Sequence, residues 1–435
     1  MRDTSAGGRR ALIVGLGISG MATALRLHQI GWAPVIVERA AARRTGGYFV
    51  GIFGSGRSAA ERLGVALHLH DRRPTGVAYD YDRLGNRRVG MSFADLPGEA
   101  WAALRGDVEA AAFQALPDDM EIRYCAVPTK IDQHDGSVSV TLTNNADGAV
   151  TTEEFDLVVG ADGLRSTVRA LVFGPHEKNV RRLNHVIATF ELPGKLSDLA
   201  LEDGAWLMEP GRSLIVYPFS DHLPTALLSY HTDDVDAEFT EPPATRLRKA
   251  YGPQPLGRLL SEVLEAFEST DEYLFDSVEQ VHMDSWHDGP VVLVGDAAWC
   301  ETLYSGLGVS SALAEPDLLG TMLDRYPDDL NRALIEWERT LRPFIDAYQQ
   351  FGVRQRFFFT PDNRVELLFR QGMAWLRQIP FTRTLFARIA QGSKAGQLKD
   401  QDIATAGLTP RQVTTAALAK GDGNVTRSTV GTHHR

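Results

Sequence analysis

A two-part α/β fold, in which a mostly parallel sheet flanked by helices is interrupted by an antiparallel sheet, is the architecture the sequence predicts. Three observations point to it. The chain opens on a strand, a glycine turn and a helix in direct succession: ALIV, GLGISG, MATALRLHQI. Two later apolar runs, FDLVV at 155–159 and PVVLV at 290–294, each lead into a short segment of glycine and aspartate. Between them stand the alternating stretches HVIATFEL, AWLMEP, SLIVYPF and ALLSYHT, which read as an antiparallel sheet with one exposed face.

In chain order, 11–31 reads as strand, turn and helix closing at Gly31, a residue suited to a left-handed cap. PVIVE at 34–38 is the next strand and completes a right-handed βαβ start. Polar and apolar alternation over 75–93, with RLGN as turn, predicts a hairpin, and WAALRGDVEAAAFQAL at 101–116 predicts a helix. Strands are expected near 121–124 and 138–142, with NNADG as a turn, and the inserted sheet over 184–232. A helix follows Gly308. Leu330, Leu334, Trp337, Leu341, Ile345 and Tyr348 then share one helical face, which Pro343 is expected to kink or divide. Further helices are expected near 365–379, 380–391 and 410–420, the last framed by Thr409, Pro410 and Gly421. The resulting division assigns 1–74, 99–178 and 281–345 to the first domain and the hairpin 75–98 with 179–280 to the second. C-terminal helices occupy 346–420, and 421–435 is a flexible tail.

At 435 residues and 43% hydrophobic composition the chain can bury a large core. Lys and Arg total 45 against 56 acids, a net charge of −11 that opposes binding to nucleic acid. Cys125 and Cys300 are too few for a disulfide framework and suit a reducing cytoplasm. No export signal and no run of about 18 apolar residues is present, so a cytoplasmic protein without a membrane span is expected. The pairs His68 and His70, and His282 and His287, lack the companions a metal site needs, and GxSxG is absent.

Gly15, Gly17 and Gly20 lie between strand and helix, and Glu38 ends the second strand 18 residues after Gly20. Such glycines let backbone approach a pyrophosphate at the positive helix end, while a carboxylate on the second strand accepts hydrogen bonds from a ribose. This is a Rossmann-type dinucleotide signature. It does not separate FAD from NAD, though an acid at Glu38 disfavours a 2′-phosphate there, with Arg39 next to it.

With that motif, GADGLRSTVR at 160–169 and VGDAAWCETLYSGLG at 294–308 resemble the class A flavoprotein monooxygenases, the para-hydroxybenzoate hydroxylase family. The likeness covers at least 11–325 and is nearest in pattern to the tetracycline-inactivating and polyketide-tailoring branch. It implies a Rossmann-type FAD-binding domain with an inserted antiparallel substrate sheet and C-terminal helices. It also implies one FAD bound non-covalently, NADPH or NADH as transient reductant without a domain of its own, O2, and a small aromatic or polyketide-like substrate.

Carried onto this chain, the resemblance assigns cofactor contacts to Gly15, Gly17, Ile18, Ser19, Gly20, Glu38, Arg39, Arg44, Arg105 and Val127. It adds Asp162 and Gly163 of the second segment, completed by Ser166 and Arg169, and Gly295, Asp296, Gly306, Leu307, Gly308 and Val309 of the third. Asp296, at the end of a buried strand, is placed to accept a ribityl hydroxyl. The stretch TGGYFVGIFGSG at 45–56 either lines the flavin ring or is a mobile loop. Trp206, Arg212, Tyr217 and His231 are the substrate candidates on the inserted sheet. No catalytic acid or base is assigned, because the cofactor supplies the reactive chemistry while the protein supplies position and a dry cavity.

The chain departs from that branch at Glu301, where proline is usual, and at Leu307, where glutamine is usual. A carboxylate beside the flavin loop alters either its shape or the polarity of the pocket. The expected activity is oxygenation, hydroxylating or oxidatively tailoring its substrate. The alternatives are a redox-neutral cyclisation on the same scaffold and a reductase or oxidase step. The Trp-x-Trp-x-Ile-Pro signature of related halogenases does not occur near Trp286.

Overall fold

The computed structural model describes residues 8–43, 46–90, 92, 100–253, 255–378 and 401–405. Arg44, most of 91–99, the helices expected at 380–391 and 410–420 and the tail lie outside the described residues. The apolar runs of the first domain become neighbours in one six-stranded sheet. Its spatial order is His287–Asp288, Val291–Leu293, Leu157–Gly160, Arg10–Val14, Ala33–Val37, Glu121–Arg123, parallel throughout except for the first, two-residue strand. Val14 lies beside Gly160, and Gly160 beside Leu293. The three glycine-containing segments therefore leave the sheet side by side at its C-terminal edge, where an open α/β sheet binds ligands.

The inserted domain is a seven-stranded sheet in the order Tyr273–Val281, Val180–Glu191, Thr225–His231, Arg212–Tyr217, Gly204–Glu209, Ala78–Tyr81, Arg87–Val89. The hairpin expected at 75–93 forms its far edge, with Ala78–Tyr81 antiparallel to Arg87–Val89 and parallel to Gly204–Glu209. The expectation of one exposed face fails. Thr225–Tyr230 is buried on both sides, because the helices Pro243–Tyr251 and Arg258–Glu268 cover one face. Leu260, Val263, Leu264 and Phe267 stand at i, i+3, i+4 and i+7 of the second helix and are fully buried. Their burial contributes about 1.5–3 kcal/mol each.

Two other expectations are corrected. Residues 101–104 are not the start of a helix: they form a strand antiparallel to Phe49–Ile52, and the helix begins at Arg105 and ends at Gln114. Pairing with a partner strand 49 to 55 residues away overrides local helix propensity here. Of the two outcomes expected at Pro343 only division is excluded, because its helix runs unbroken from Leu330 to Phe359. Leu334, Trp337 and Leu341 before the proline and Phe344, Ile345 and Tyr348 after it pack into the same core, and that burial outweighs the lost backbone bond. None of the described helices is long and apolar enough to cross a membrane.

Candidate functional site

A cavity of about 2150 Å3 lies between the C-terminal edge of the parallel sheet and the second face of the antiparallel sheet. Ordinary small-molecule pockets occupy roughly 300–1000 Å3, so there is room for a dinucleotide and a further molecule together.

The dinucleotide end is built by the first turn. Gly15 has φ +109°, and its N–H donates to the Val37 carbonyl, joining turn to second strand. A Cβ on Gly20 would sit 2.0 Å from the Gly15 carbonyl oxygen, so helix Ile18–Gln29 presses directly on the strand. Gly17 differs: a Cβ there meets nothing within 4 Å, because its face opens on the cavity at the helix N-terminus. The same is true of Gly306 and Gly308. These are cradles that protein does not fill, and they suit a pyrophosphate and a flat ring held by backbone. Glu38 accepts from the Leu16 and Ala40 N–H groups, both at 2.9 Å, so it fixes the turn while facing the cavity. Ile18, Ser19, Arg39 and Val127 also line the cavity.

Asp162 lines the cavity as expected, and its carboxylate has a second, structural use. Its carboxylate accepts from Ser166 Oγ at 2.5 Å and from the Thr167 and Val168 N–H groups at 2.6 and 3.1 Å, closing the start of helix Thr167–Val172. Gly163, with φ +77°, lines the cavity beside it. Arg169 is fully buried and ties this segment to the third one, donating to the Ala297 carbonyl at 2.8 Å and to His176 Nδ1 at 2.8 Å.

In the third segment the Asp296 side chain is exposed to the cavity, deep among the protein atoms that surround it. Burial raises its carboxyl above the usual carboxylate range, and Arg105 pulls it partly back. Arg105 pairs with Glu109 at 2.9 Å from the first position of its helix. Tyr48 stands with Arg105 and Asp296 and is held protonated by burial, against the pull of Arg105. Tyr48 was not nominated from the sequence. An aromatic set among glycines was the available signal, in the stretch whose role stayed open. That stretch is neither all lining nor a loop: Gly46–Gly51 and Phe53 border the cavity, while Gly54 begins a helix whose Gly56 would clash with Ser310 if it carried a Cβ.

Glu301 borders the cavity, but both of its carboxylate oxygens are engaged by the loop and the following helix. It is buried, Oε1 accepts from Ser311 Oγ at 2.6 Å and Oε2 from Ser305 Oγ at 2.8 Å, so the carboxylate ties the loop to helix Gly308–Arg325. The next residue, Thr302, has φ +84°, a conformation that costs a β-branched residue about 1–3 kcal/mol. Replacing Ser311 by alanine leaves a buried carboxylate oxygen without its donor, and a loss of about 1–3 kcal/mol is expected. Thermal melting checks it: an unshifted melting temperature would remove Glu301 from this role. Leu307 is buried beneath the loop and does not line the cavity.

A second buried carboxylate, Glu315, was missed. Its Oε2 accepts from the Gly295 N–H at 2.7 Å and its Oε1 from Trp299 Nε1 at 2.8 Å. Its position seven residues after Gly308, on the helix face turned inward, was the legible signal.

At the other end the wall is aromatic. Trp206 and Tyr217 line it, and Tyr217 stacks on Phe49 of the first domain at 4.4 Å and 9°. Burial alone raises the Tyr217 phenol, which therefore stays protonated. Arg212, five residues before Tyr217 on the same strand, faces the opposite side, where it binds Glu209 and the carbonyls of Ala250 and Gly252. His231 ends its strand packed on His185 and does not line the cavity.

The comparisons with known proteins agree with this geometry. Residues 120–325 match the family model described as FAD binding domain. The chain is 28% identical over 351 residues to a flavin-dependent monooxygenase from an unknown prokaryotic organism, covering 79% of this chain and 88% of the relative. It is 30% identical over 357 residues to the uncharacterized protein MT1298 of Mycobacterium tuberculosis, covering 78% and 92%. The crystal structure of tetracycline destructase Tet(51) superposes with a TM-score of 0.71 at 25% identity, covering 90% of this chain and 97% of that one.

Proposed function

The chain belongs to the class A flavin-dependent monooxygenases, and from that we propose that it inserts oxygen into a planar, polycyclic aromatic substrate of polyketide type. The observation that carries the substrate reading is continuity: the flavin cradles and the wall of Phe49, Trp206 and Tyr217 border one cavity. Such rings offer large, rigid contact area to a flat molecule. The likeness to tetracycline destructase Tet(51), named for a polycyclic compound, supports the same class.

The residues fit FAD. Bound there, FAD would supply the chemistry of accepting a hydride from NADPH or NADH and of activating O2. The chain's own residues do the rest. The Gly15–Gly17 turn and the N-terminus of helix Ile18–Gln29 would hold the pyrophosphate, with Arg105 offering positive charge. Glu38 would take the adenosine ribose and Asp296 the ribityl chain, each from a rigid strand end. Gly163, Gly306 and Gly308 would let backbone reach the ring. The apolar wall excludes water, and the protonated Tyr217 hydroxyl is a hydrogen-bond donor for an oxygen on the substrate.

The test begins with the spectrum of the purified protein, expected to be that of bound oxidised flavin. Anaerobic NADPH or NADH should bleach it, faster with substrate present, and the aerobic product should gain one oxygen atom by mass. A flavin that neither coenzyme reduces would defeat the proposal. So would turnover of substrate without oxygen or coenzyme, the mark of the redox-neutral alternative, whose motive weakens once Glu301 is tied into its loop.

A further inference from the structure

Helix Leu330–Phe359 ends against the cavity, and Phe351, Arg354, Gln355 and Phe358 at i, i+3, i+4 and i+7 all line it. Two aromatic residues on a cavity wall need no further reason. Two long polar side chains set between them do. Neighbouring arginines have partners: Arg356 pairs with Asp362 at 2.5 Å and Glu366 at 3.2 Å, and Arg370 pairs with Asp80 at 3.2 Å beneath the Trp206 ring. Among the described residues, the side chains of Arg354 and Gln355 make no hydrogen bond or ion pair, and Arg354 is exposed to the cavity mouth.

We propose that Arg354, with Gln355 beside it, is a subsite for a delocalised anionic oxygen pair on the substrate, so that the molecule taken is an aromatic acid or an ionised enol. This rests on the monooxygenase reading and narrows its substrate class. A guanidinium presents parallel donors that match a carboxylate or a 1,3-dicarbonyl enolate. The amide of Gln355 adds a neutral donor to the same edge. A flat ring system held at its acidic edge by this helix would extend from the mouth toward the wall of Trp206 and Tyr217.

The test uses the FAD-loaded protein and two probes of equal ring size, 1-hydroxy-2-naphthoate and its methyl ester, titrated by perturbation of the flavin absorption band. Wild type is expected to bind the acid more tightly than the ester. Arg354→Gln should abolish that preference, weakening the acid about tenfold or more while leaving the ester unchanged. Arg354→Lys should restore part of it. Retained flavin absorbance in each variant confirms the fold. An acid preference unchanged in Arg354→Gln overturns the subsite, as does failure of the acid to perturb the wild-type spectrum at millimolar concentration. Anaerobic bleaching of the wild-type flavin by NADPH reads the monooxygenase assignment separately, so either can fall alone.

Discussion

A Gly17→Asp variant will fold normally and lose its flavin. Gly17 caps helix Ile18–Gln29 with φ −81° and ψ −178°, an extended conformation open to any residue. Aspartate is among the preferred residues at such a cap and favours the positive helix end, so the flavin-free fold should be as stable as wild type or more so. Its side chain would nevertheless enter the open face of the turn, where no protein atom approaches a Cβ within 4 Å. A second negative charge about 4 Å from a phosphate costs about 4 kcal/mol at an effective dielectric of 20. That is about three orders of magnitude in affinity. Gly20→Ala supplies the contrast. Its Cβ would lie 2.0 Å from the Gly15 carbonyl, so that variant should lose stability whether or not flavin is present. Melting of flavin-stripped proteins, paired with flavin titration, separates the two effects. Full flavin retention in Gly17→Asp would mean that the turn is only a strand-to-helix connection.

What could be read from the sequence follows from what local chemistry requires. The first turn was legible because a left-handed glycine, a close approach and an open cradle each exclude side chains at fixed spacing. The parallel strands were legible as short apolar runs. Their alignment was not, since only the register of Val14, Gly160 and Leu293 makes three distant segments converge. Asp162 shows the limit of motif reading. The residue is where the pattern puts it, but its carboxylate is taken up by the start of a helix four residues on. Strand parity separates Arg212 from Tyr217, yet it cannot say which face meets the cavity, because that depends on which face the helices at 243–268 cover. Phe49, on a short strand of the first domain, reaches Tyr217 of the second only through tertiary packing.

Glu315→Ala should have the other large effect, and its cause lies below the flavin site. The Gly295–Asp296 turn stands on this carboxyl group, which accepts from the Gly295 N–H and the Trp299 indole. Removing it leaves two buried donors unpaired at about 1–3 kcal/mol each, and a void adds to that. The turn that aims Asp296 at the cavity is loosened, so flavin affinity should fall with stability. Burial raises the Glu315 carboxyl to about 8 from its ordinary 4.5; its two donors lower it, and Asp296 and Glu301 oppose them. The folded chain therefore keeps a proton that the unfolded chain has already released between those values. Bound protons are more numerous in the folded state there, so stability falls as pH rises from about 4.5 to about 8 and levels off above. The Asp296 carboxyl is raised in the same direction. Glu315→Gln keeps the size and one acceptor but cannot titrate. Melting temperatures of the flavin-stripped proteins across this range should fall with pH in wild type and stay flatter in Glu315→Gln. Two parallel curves would show that the proton is held elsewhere.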